Sequence, residues 1–88
     1  MAVLLLAAGG AREVKPADGH EFTVQELNNL VGGYIEAYRL ADGWIVCNED
    51  GQRLELPPNA AASAIWGLLG RRGPVVGDVL ICAPDEVS

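Results

Sequence analysis

Alternation of apolar and polar residues through the middle of the chain predicts three short strands. Residues 34–40 and 44–49 fit the two arms of a hairpin, and the loop 41–43 between them ends in a glycine. Three-residue hairpin loops commonly place glycine in the left-handed conformation, and we expect this role for Gly43. A further turn leads into a shorter and more polar strand over residues 52–56, so the three strands form a predicted meander.

Both ends of the chain also contain candidate strands. Residues 2–8 form a continuous apolar run and residues 11–15 alternate, so Gly9-Gly10 between them predicts a tight hairpin. The apolar segment 75–83 predicts the closing strand of the sheet. Residues 84–88 follow that strand, and we expect them to form a loose tail.

Two helices are predicted from their end signals. Thr23 and Glu26 match a capping box, in which each side chain bonds to the backbone amide of the other residue, and Gly32-Gly33 ends the helix. Asn59 is a good N-cap for a second helix that runs to about Leu69. The predicted order is β-β-α-β-β-β-α-β, which indicates an α+β fold: a small, mostly antiparallel sheet with two helices packed on one face.

The composition is typical of one small globular domain spanning residues 1–88. Hydrophobic residues make up 50% of the chain, but a domain of this length has a thin core. Small domains often compensate for a thin core by associating, so a homodimer is a hypothesis at this stage. The net charge is −6, and the only adjacent basic residues are Arg71-Arg72, so we expect no nucleic-acid partner.

Targeting and metal-binding signals are weak. The apolar run at the amino terminus is short for a signal peptide and has no positive charge before it, and no segment has the ~20 apolar residues of a spanning helix. We therefore expect a cytoplasmic protein with no membrane partner. Cys47 and Cys82 lie in apolar contexts typical of buried free thiols, although the sequence leaves open whether they face each other. A single histidine cannot complete a zinc site, and we expect no metal and no cofactor.

Several short motifs follow one another in an order that is typical of a known family. They are Gly32-Gly33-Tyr34-Ile35-Glu36, Asn48-Glu49-Asp50-Gly51 and Leu56-Pro57-Pro58-Asn59, with Gly77-Asp78 as a weaker fourth. Over about residues 22–83 the chain resembles domain-of-unknown-function family 3846, small proteins of bacteria and archaea that are often encoded by phages, prophages and plasmids. The resemblance implies an accessory protein of mobile elements, and it carries over no catalytic or binding residues.

One face of the predicted hairpin suits a contact surface. Tyr34, Glu36 and Tyr38 share a face because side chains along a strand alternate with a period of two. We place Trp44 with them and expect these four residues to bind a protein partner or a small ligand, with an ordinary solvated face as the alternative. Asn48 is a further candidate, although a local turn-forming role also explains it.

Arg71 and Arg72 are the remaining candidate binding residues. Two cations flanked by glycines suit a phosphate group. They also follow the predicted C-terminus of a helix, where the helix dipole favours cations and disfavours anions. The dipole therefore favours a capping role for the two arginines over a phosphate site.

These observations favour a non-enzymatic binding module, because the serines, the single histidine and the carboxylates form no recognisable catalytic set. One alternative is a small hydrolase or transferase in which Asp78 and Glu36 hold a recruited metal ion. Another alternative is a purely structural subunit of a constant oligomer. The sequence leaves these three hypotheses open.

Overall fold

The computed structural model describes residues 2–71 and 74–87. These residues form, in chain order, β1 (Ala2–Leu5), β2 (Ala11–Val14), α1 (Val24–Val31), β3 (Ile35–Leu40), β4 (Gly43–Asn48), α2 (Ala60–Leu68), β5 (Val79–Cys82) and a short 3-10 helix (Pro84–Glu86). The five strands make one antiparallel sheet in the order β2-β1-β5-β4-β3. The predicted α+β fold with a small antiparallel sheet and two α-helices is confirmed.

The start and end of α1 follow the predicted signals. The Thr23 hydroxyl accepts a hydrogen bond from the amide of Glu26 at 3.1 Å, and the Thr23 amide donates to the Glu26 carboxylate at 2.9 Å. At the other end Gly32 adopts a left-handed conformation with φ of 79°, and its amide donates to the carbonyl of Asn28. Both ends of the helix are thus satisfied locally, as a capping box and a glycine stop require.

The two helices lie on opposite faces of the sheet, so the prediction that both pack on one face is wrong. Val46 and Leu80 belong to the core beneath α1, while Ile45 and Val79 belong to the core beneath α2. Neighbouring residues of one strand point to opposite faces, and all four of these side chains are at most 1% exposed. The two central strands are therefore buried on both faces, and one layer of helices could not cover them.

The predicted strand over residues 52–56 is also wrong, and with it the three-stranded meander. This segment makes successive tight turns: the Leu54 amide donates to the Asp50 carbonyl at 2.9 Å, and the Leu56 amide donates to the Gly51 carbonyl at 3.0 Å. Glu55 has a positive φ of 55°, which no extended strand contains. The alternating leucines of this segment produce the strand-like pattern, but its backbone bonds are local.

The β3–β4 hairpin has a shorter loop than predicted. Leu40 pairs with Gly43, so only Ala41 and Asp42 connect the strands, and Arg39 lies opposite Trp44. Gly43 has no positive φ and belongs to β4. Glycine is needed there for another reason: a Cβ atom on Gly43 would lie 2.0 Å from the carbonyl oxygen of Cys82 on the neighbouring strand.

The strands at the chain ends are shorter than predicted. β1 ends at Leu5, and residues 6–10 form the connection to β2, with the Leu6 amide donating to the Gly10 carbonyl at 3.0 Å. β5 covers only Val79–Cys82, in the second half of the segment 75–83. The register that joins β1 and β2 pairs Leu5 with Ala11.

The last described residues pack against the sheet, so a loose tail is wrong for residues 84–87. The amide of Phe22 donates to the carbonyl of Glu86 at 2.8 Å, and the indole N–H of Trp44 donates to the carbonyl of Pro84 at 3.2 Å. The side chain of Glu86 is buried and accepts a hydrogen bond from the Ala83 amide. Val87 contacts the core beneath α1.

Asn59 connects three separate parts of the fold. Its side-chain amide nitrogen donates to the carbonyls of Leu5 and Gly77, each at 2.9 Å, and its side-chain oxygen accepts from the amide of Ala62 at 3.0 Å. The residue is fully buried. It therefore caps α2, as predicted, and it also ties the start of that helix to the end of β1 and to the segment just before β5.

Candidate functional site

A groove of about 330 Å³ lies on the α2 face of the sheet. Its walls come from β3, β4, the turns after β4, α2 and the segment that leads into β5. The lining residues include Glu36, Tyr38, Cys47, Glu49, Gln52 and Trp66. We call this feature the Tyr38 groove.

Tyr38 is held in place from two sides. Its hydroxyl donates a hydrogen bond to the carboxylate of Glu36, two residues earlier on the same face of β3. Its ring meets the ring of Trp66 edge to face, with centroids 4.9 Å apart and planes 70° apart. Edge-to-face contact is a favourable arrangement of two aromatic rings. The groove therefore has a fixed wall that combines aromatic surface with a carboxylate.

Arg71 lies over this aromatic pair. Its guanidinium carbon is 4.8 Å from the ring centroid of Trp66 and 5.3 Å from that of Tyr38, both within the range of a cation–π contact. The α-helix itself ends at Leu68, and Arg71 packs on the rings of the groove wall. Arg72, the other arginine proposed from the sequence, lies outside the described residues.

The Glu36 hydrogen bond raises the pKa of the Tyr38 hydroxyl to about 12, with partial burial as a smaller cause. The folded chain thus holds this proton more tightly than the unfolded chain, whose tyrosine pKa is close to 10. Stabilisation from the protonated hydroxyl is fully present below pH 10 and is lost as the pH rises towards 12.

Titration of Tyr38 can be measured directly, because the chain has only one other tyrosine, Tyr34, and that residue can be replaced. In a Tyr34→Phe background, we expect the ultraviolet absorbance of the phenolate to appear with a midpoint near pH 12. Adding Glu36→Gln should move the midpoint down towards 10, since the charged acceptor is then gone. A midpoint near 10 in the Tyr34→Phe protein, with circular dichroism still showing the native fold, would contradict the hydrogen bond.

The two thiols are separate, and both are held protonated. Burial raises the pKa of Cys47 to about 11, with the nearby charge of Glu36 as a smaller cause, and the thiol donates weakly to the backbone carbonyl of Glu36. Burial likewise raises the pKa of Cys82 to about 11. Cys47 lies on the α2 face and Cys82 on the α1 face, and both are free. A protonated thiol is a poor nucleophile, so Cys47 serves the groove as an apolar wall.

Comparison with known protein families gives a match that covers every residue of the chain. The model of the family described as "Domain of unknown function (DUF3846)" matches residues 1–88. The chain belongs to this family. The resemblance noted from the motifs is thereby confirmed.

The family description of DUF3846 gives no activity. Comparisons with curated proteins and with solved structures gave no match. Among the described residues of this DUF3846 member, no helix is both long enough and apolar enough to cross a membrane.

Trp44 lies outside the Tyr38 groove, in contrast to the prediction that it shares a surface with Tyr38. It packs with the core on the α1 face, and the guanidinium of Arg39 lies 5.3 Å from its ring centroid. The cause is the hairpin register. A three-residue loop would pair Leu40 with Trp44, whereas the observed two-residue loop pairs Leu40 with Gly43. A shift of one residue moves every side chain of a strand to the other face.

Tyr34 and Asn48 contribute less to the groove than predicted. Tyr34 precedes β3, is 72% exposed and does not line the groove. Asn48 does line it, but its side chain is occupied elsewhere: the nitrogen donates to the Val31 carbonyl at 3.2 Å, and the oxygen accepts from the Asp50 amide at 2.8 Å. The turn-forming role of Asn48 is confirmed, and the residue also joins β4 to the end of α1.

Asp78 and Glu36, the suggested metal-binding pair, do not meet in the groove. A carboxylate oxygen of Asp78 accepts a hydrogen bond from the amide of Ala7 at 2.9 Å, in the β1–β2 connection, and Asp78 does not line the groove. Over residues 2–71 and 74–87, no group of three or more histidine, cysteine, aspartate or glutamate side chains is placed to hold a metal ion.

Of the described residues that line the Tyr38 groove, eight were not among the predicted site residues, and four of these eight carry a polar, thiol or aromatic group. Trp66 lies beside the apolar stripe of α2, and only its partial burial next to another aromatic residue reveals its role. The position of Cys47 in the groove can be predicted once the hairpin register is known, because Cys47 lies opposite Glu36 and points to the same face. Glu49 and Gln52 belong to the turns after β4, and no local signal in the sequence points to them.

Proposed function

We propose that this protein is a binding module, and that the Tyr38 groove holds either a small ligand or a side chain inserted by a partner protein. The observation that carries the proposal is the preformed wall of Tyr38, Glu36 and Trp66 beside a cavity of about 330 Å³. Ligand sites typically have volumes of roughly 300–1,000 Å³ and combine apolar surface with a few well-placed polar groups. The groove meets this description at the small end of the range.

The chemistry of the lining favours a ligand that donates hydrogen bonds or carries positive charge. Glu36 and Glu49 supply carboxylates, which only accept hydrogen bonds when ionised. The rings of Tyr38 and Trp66 already carry the guanidinium of Arg71, so the two carboxylates are the groups that favour a ligand cation. The net charge of −6 also favours the approach of cations. An amine, an amidine or a lysine or arginine side chain fits these features.

Binding suits this groove better than catalysis does. The only thiol in the wall, Cys47, has a raised pKa and is protonated at neutral pH. Glu36 lines the groove but Asp78 does not, so the two carboxylates of the metal hypothesis do not form one site. As an accessory protein of a mobile element, a module of this kind would act by sequestering a small molecule or a host factor.

A titration with simple cationic probes tests the proposal. We expect blocked arginine and blocked lysine, added to isotope-labelled protein, to shift the NMR signals of Glu36, Tyr38 and the Trp66 indole. Glu36→Gln should weaken binding by about threefold to fivefold, corresponding to roughly 1 kcal/mol for a partly exposed ion pair. Glu21→Gln is the matched control, because it removes the same charge from an exposed loop outside the groove.

A second measurement covers ligands of other chemistry. Native mass spectrometry of protein purified gently from its own host should show an adduct that is lost on denaturation and reduced in Glu36→Gln but not in Glu21→Gln. If the probes cause no shifts at the groove and the wild-type protein carries no adduct, the proposed function is contradicted.

A further inference from the structure

β3 is one of the two edge strands of the sheet, and its outer side is open. It pairs with β4 on one side, and no described residue forms a ladder with it on the other. It is six residues long and contains neither proline nor a bulge. Edge strands in natural proteins are usually protected by such features, because unpaired backbone groups invite pairing with another chain.

The ladder with β4 shows which backbone groups face outwards. The Glu49 amide donates to the Tyr34 carbonyl at 2.9 Å, so these two residues form a hydrogen-bonded pair of the antiparallel ladder. Hydrogen-bonded and non-hydrogen-bonded pairs alternate along such a ladder, so Glu36 and Tyr38 also direct their backbone groups towards β4. The residues whose N–H and C=O groups point away from the sheet are then Ile35, Ala37 and Arg39.

The opposite edge strand, β2, is less suited to pairing. It is only four residues long, and its two central residues, Arg12 and Glu13, are charged and exposed. Charged side chains on a short edge oppose the addition of a further strand. β3 also carries two exposed charged residues, Glu36 and Arg39, but it is two residues longer and has the small residue Ala37 at the centre of its outward-facing groups.

We propose that two copies of this chain associate through β3, antiparallel, with the two-fold axis at Ala37. Pairing then places Ile35 opposite the partner's Arg39, and Ala37 opposite its own copy, with about six backbone hydrogen bonds between the chains. The five-stranded sheet continues across the axis into a ten-stranded one. This proposal rests on the sheet edge and is independent of the ligand proposed for the Tyr38 groove.

Side-chain pairing favours this register. Residues directly opposite each other in an antiparallel pair point to the same face and interact. With the axis at Ala37, the Glu36 side chain lies opposite the partner's Tyr38, so a carboxylate faces an uncharged side chain on the face that carries the groove. An axis at Glu36 would instead oppose two carboxylates, and an axis at Arg39 would oppose two guanidinium groups. Like charges in these positions are destabilising.

A single pair of edge strands buries less area than the ~800 Å² per partner of a standard stable interface. The dimer is therefore weak and depends on protein concentration. At high concentration the partner's β3 borders the groove, so each groove gains the other copy's Tyr38 and Glu36 as neighbours.

Amide hydrogen exchange on the wild-type protein tests the proposal without any substitution. We expect the amides of Ala37 and Arg39 to be at least about tenfold better protected at near-millimolar than at low micromolar concentration. The amides of Glu36 and Tyr38, which face β4, should show the same protection at both concentrations and serve as internal controls. Analytical ultracentrifugation should show a mass that rises towards twice that of the chain over the same range.

Ala37→Pro removes an outward-facing amide that has no partner among residues 2–71 and 74–87, and edge strands tolerate proline in this orientation. It should abolish the concentration dependence while the protein stays folded. Ala60→Pro is the control, because proline is favoured at the first position of a helix and β3 is untouched.

Three results would overturn the proposal. The first is a monomer at near-millimolar concentration with rapidly exchanging Ala37 and Arg39 amides. The second is a dimer in which those amides still exchange rapidly, which would require another interface. The third is protection that develops only when a different protein is added, which would identify β3 as a site for a foreign strand.

Discussion

Replacing Gly43 with alanine is expected to destabilise the fold by about 3 kcal/mol or more, enough to unfold many small domains. The added Cβ would lie 2.0 Å from the carbonyl oxygen of Cys82, and this contact is with backbone, which cannot rotate away like a side chain. β4 and β5 pair directly beside it, through Trp44 and Cys82. The two central strands of the sheet would have to separate. Urea unfolding followed by circular dichroism measures the loss.

Gly67→Ala is the matched control for this prediction. Gly67 lies within α2, and a Cβ atom there would meet no atom within 4 Å. Alanine is the better helix former, so we expect stabilisation by about 0.5–1 kcal/mol. Equal effects of the two substitutions, or a Gly43→Ala protein as stable as the wild type, would show that β4 and β5 do not approach each other so closely.

Replacing Asn59 with alanine is expected to cost about 4 kcal/mol. The substitution leaves the carbonyls of Leu5 and Gly77 and the amide of Ala62 without their partner. A buried polar group that loses its hydrogen bond costs roughly 1–3 kcal/mol, and three such groups are affected together. Chemical denaturation gives the change in the free energy of unfolding.

Asn59→Asp separates the two roles of this residue. Aspartate keeps an oxygen that can cap α2 but loses the nitrogen that bonds to two carbonyls. If Asn59 were only a helix cap, the aspartate variant would be as stable as the wild type. We expect it to be nearly as unstable as the alanine variant. Thr23→Ala, which removes the cap of α1 at an exposed position, should cost only about 1 kcal/mol.

Local signals in the sequence predicted the elements whose causes are local. The capping box of Thr23 and Glu26 and the stop at Gly32 involve neighbouring residues, and α1 begins and ends where they indicate. The hairpin between β3 and β4 follows from alternation and a turn. The alternation of residues 52–56 led to a wrong prediction of a strand, because a series of turns can also have leucines at every second position.

The arrangement of the layers depended on a pattern that was present in the sequence. Residues 44–47 and 79–82 are apolar without interruption. A strand with one solvated face alternates, whereas a strand buried on both faces is continuously apolar. Helices on opposite faces of the sheet follow from that distinction. The misplacement of both helices on one face came from the base expectation for a small α+β domain.

The candidate site was predictable only in part. Glu36 and Tyr38 share a face because of local geometry alone, and the structure places both in the groove. The face of the sheet on which Trp44 lies depends on whether the hairpin loop has two or three residues. Trp66 and Arg71 come to Tyr38 through the packing of α2 on the sheet, a long-range event that no local pattern describes.

The hydrogen bonds of Asn59 also determine how the groove can open. They anchor α2 at its first turn, while its far end is exposed, with Leu68 exposed over 88% of its surface. Near that end, the edge-to-face contact of Trp66 with Tyr38 joins the helix to the sheet. The helix is therefore held at its first turn, and the ring contact near its other end opposes tilting of the helix away from the sheet. A ligand that parts the two rings would widen the groove by tilting the helix, without breaking a bond of the sheet.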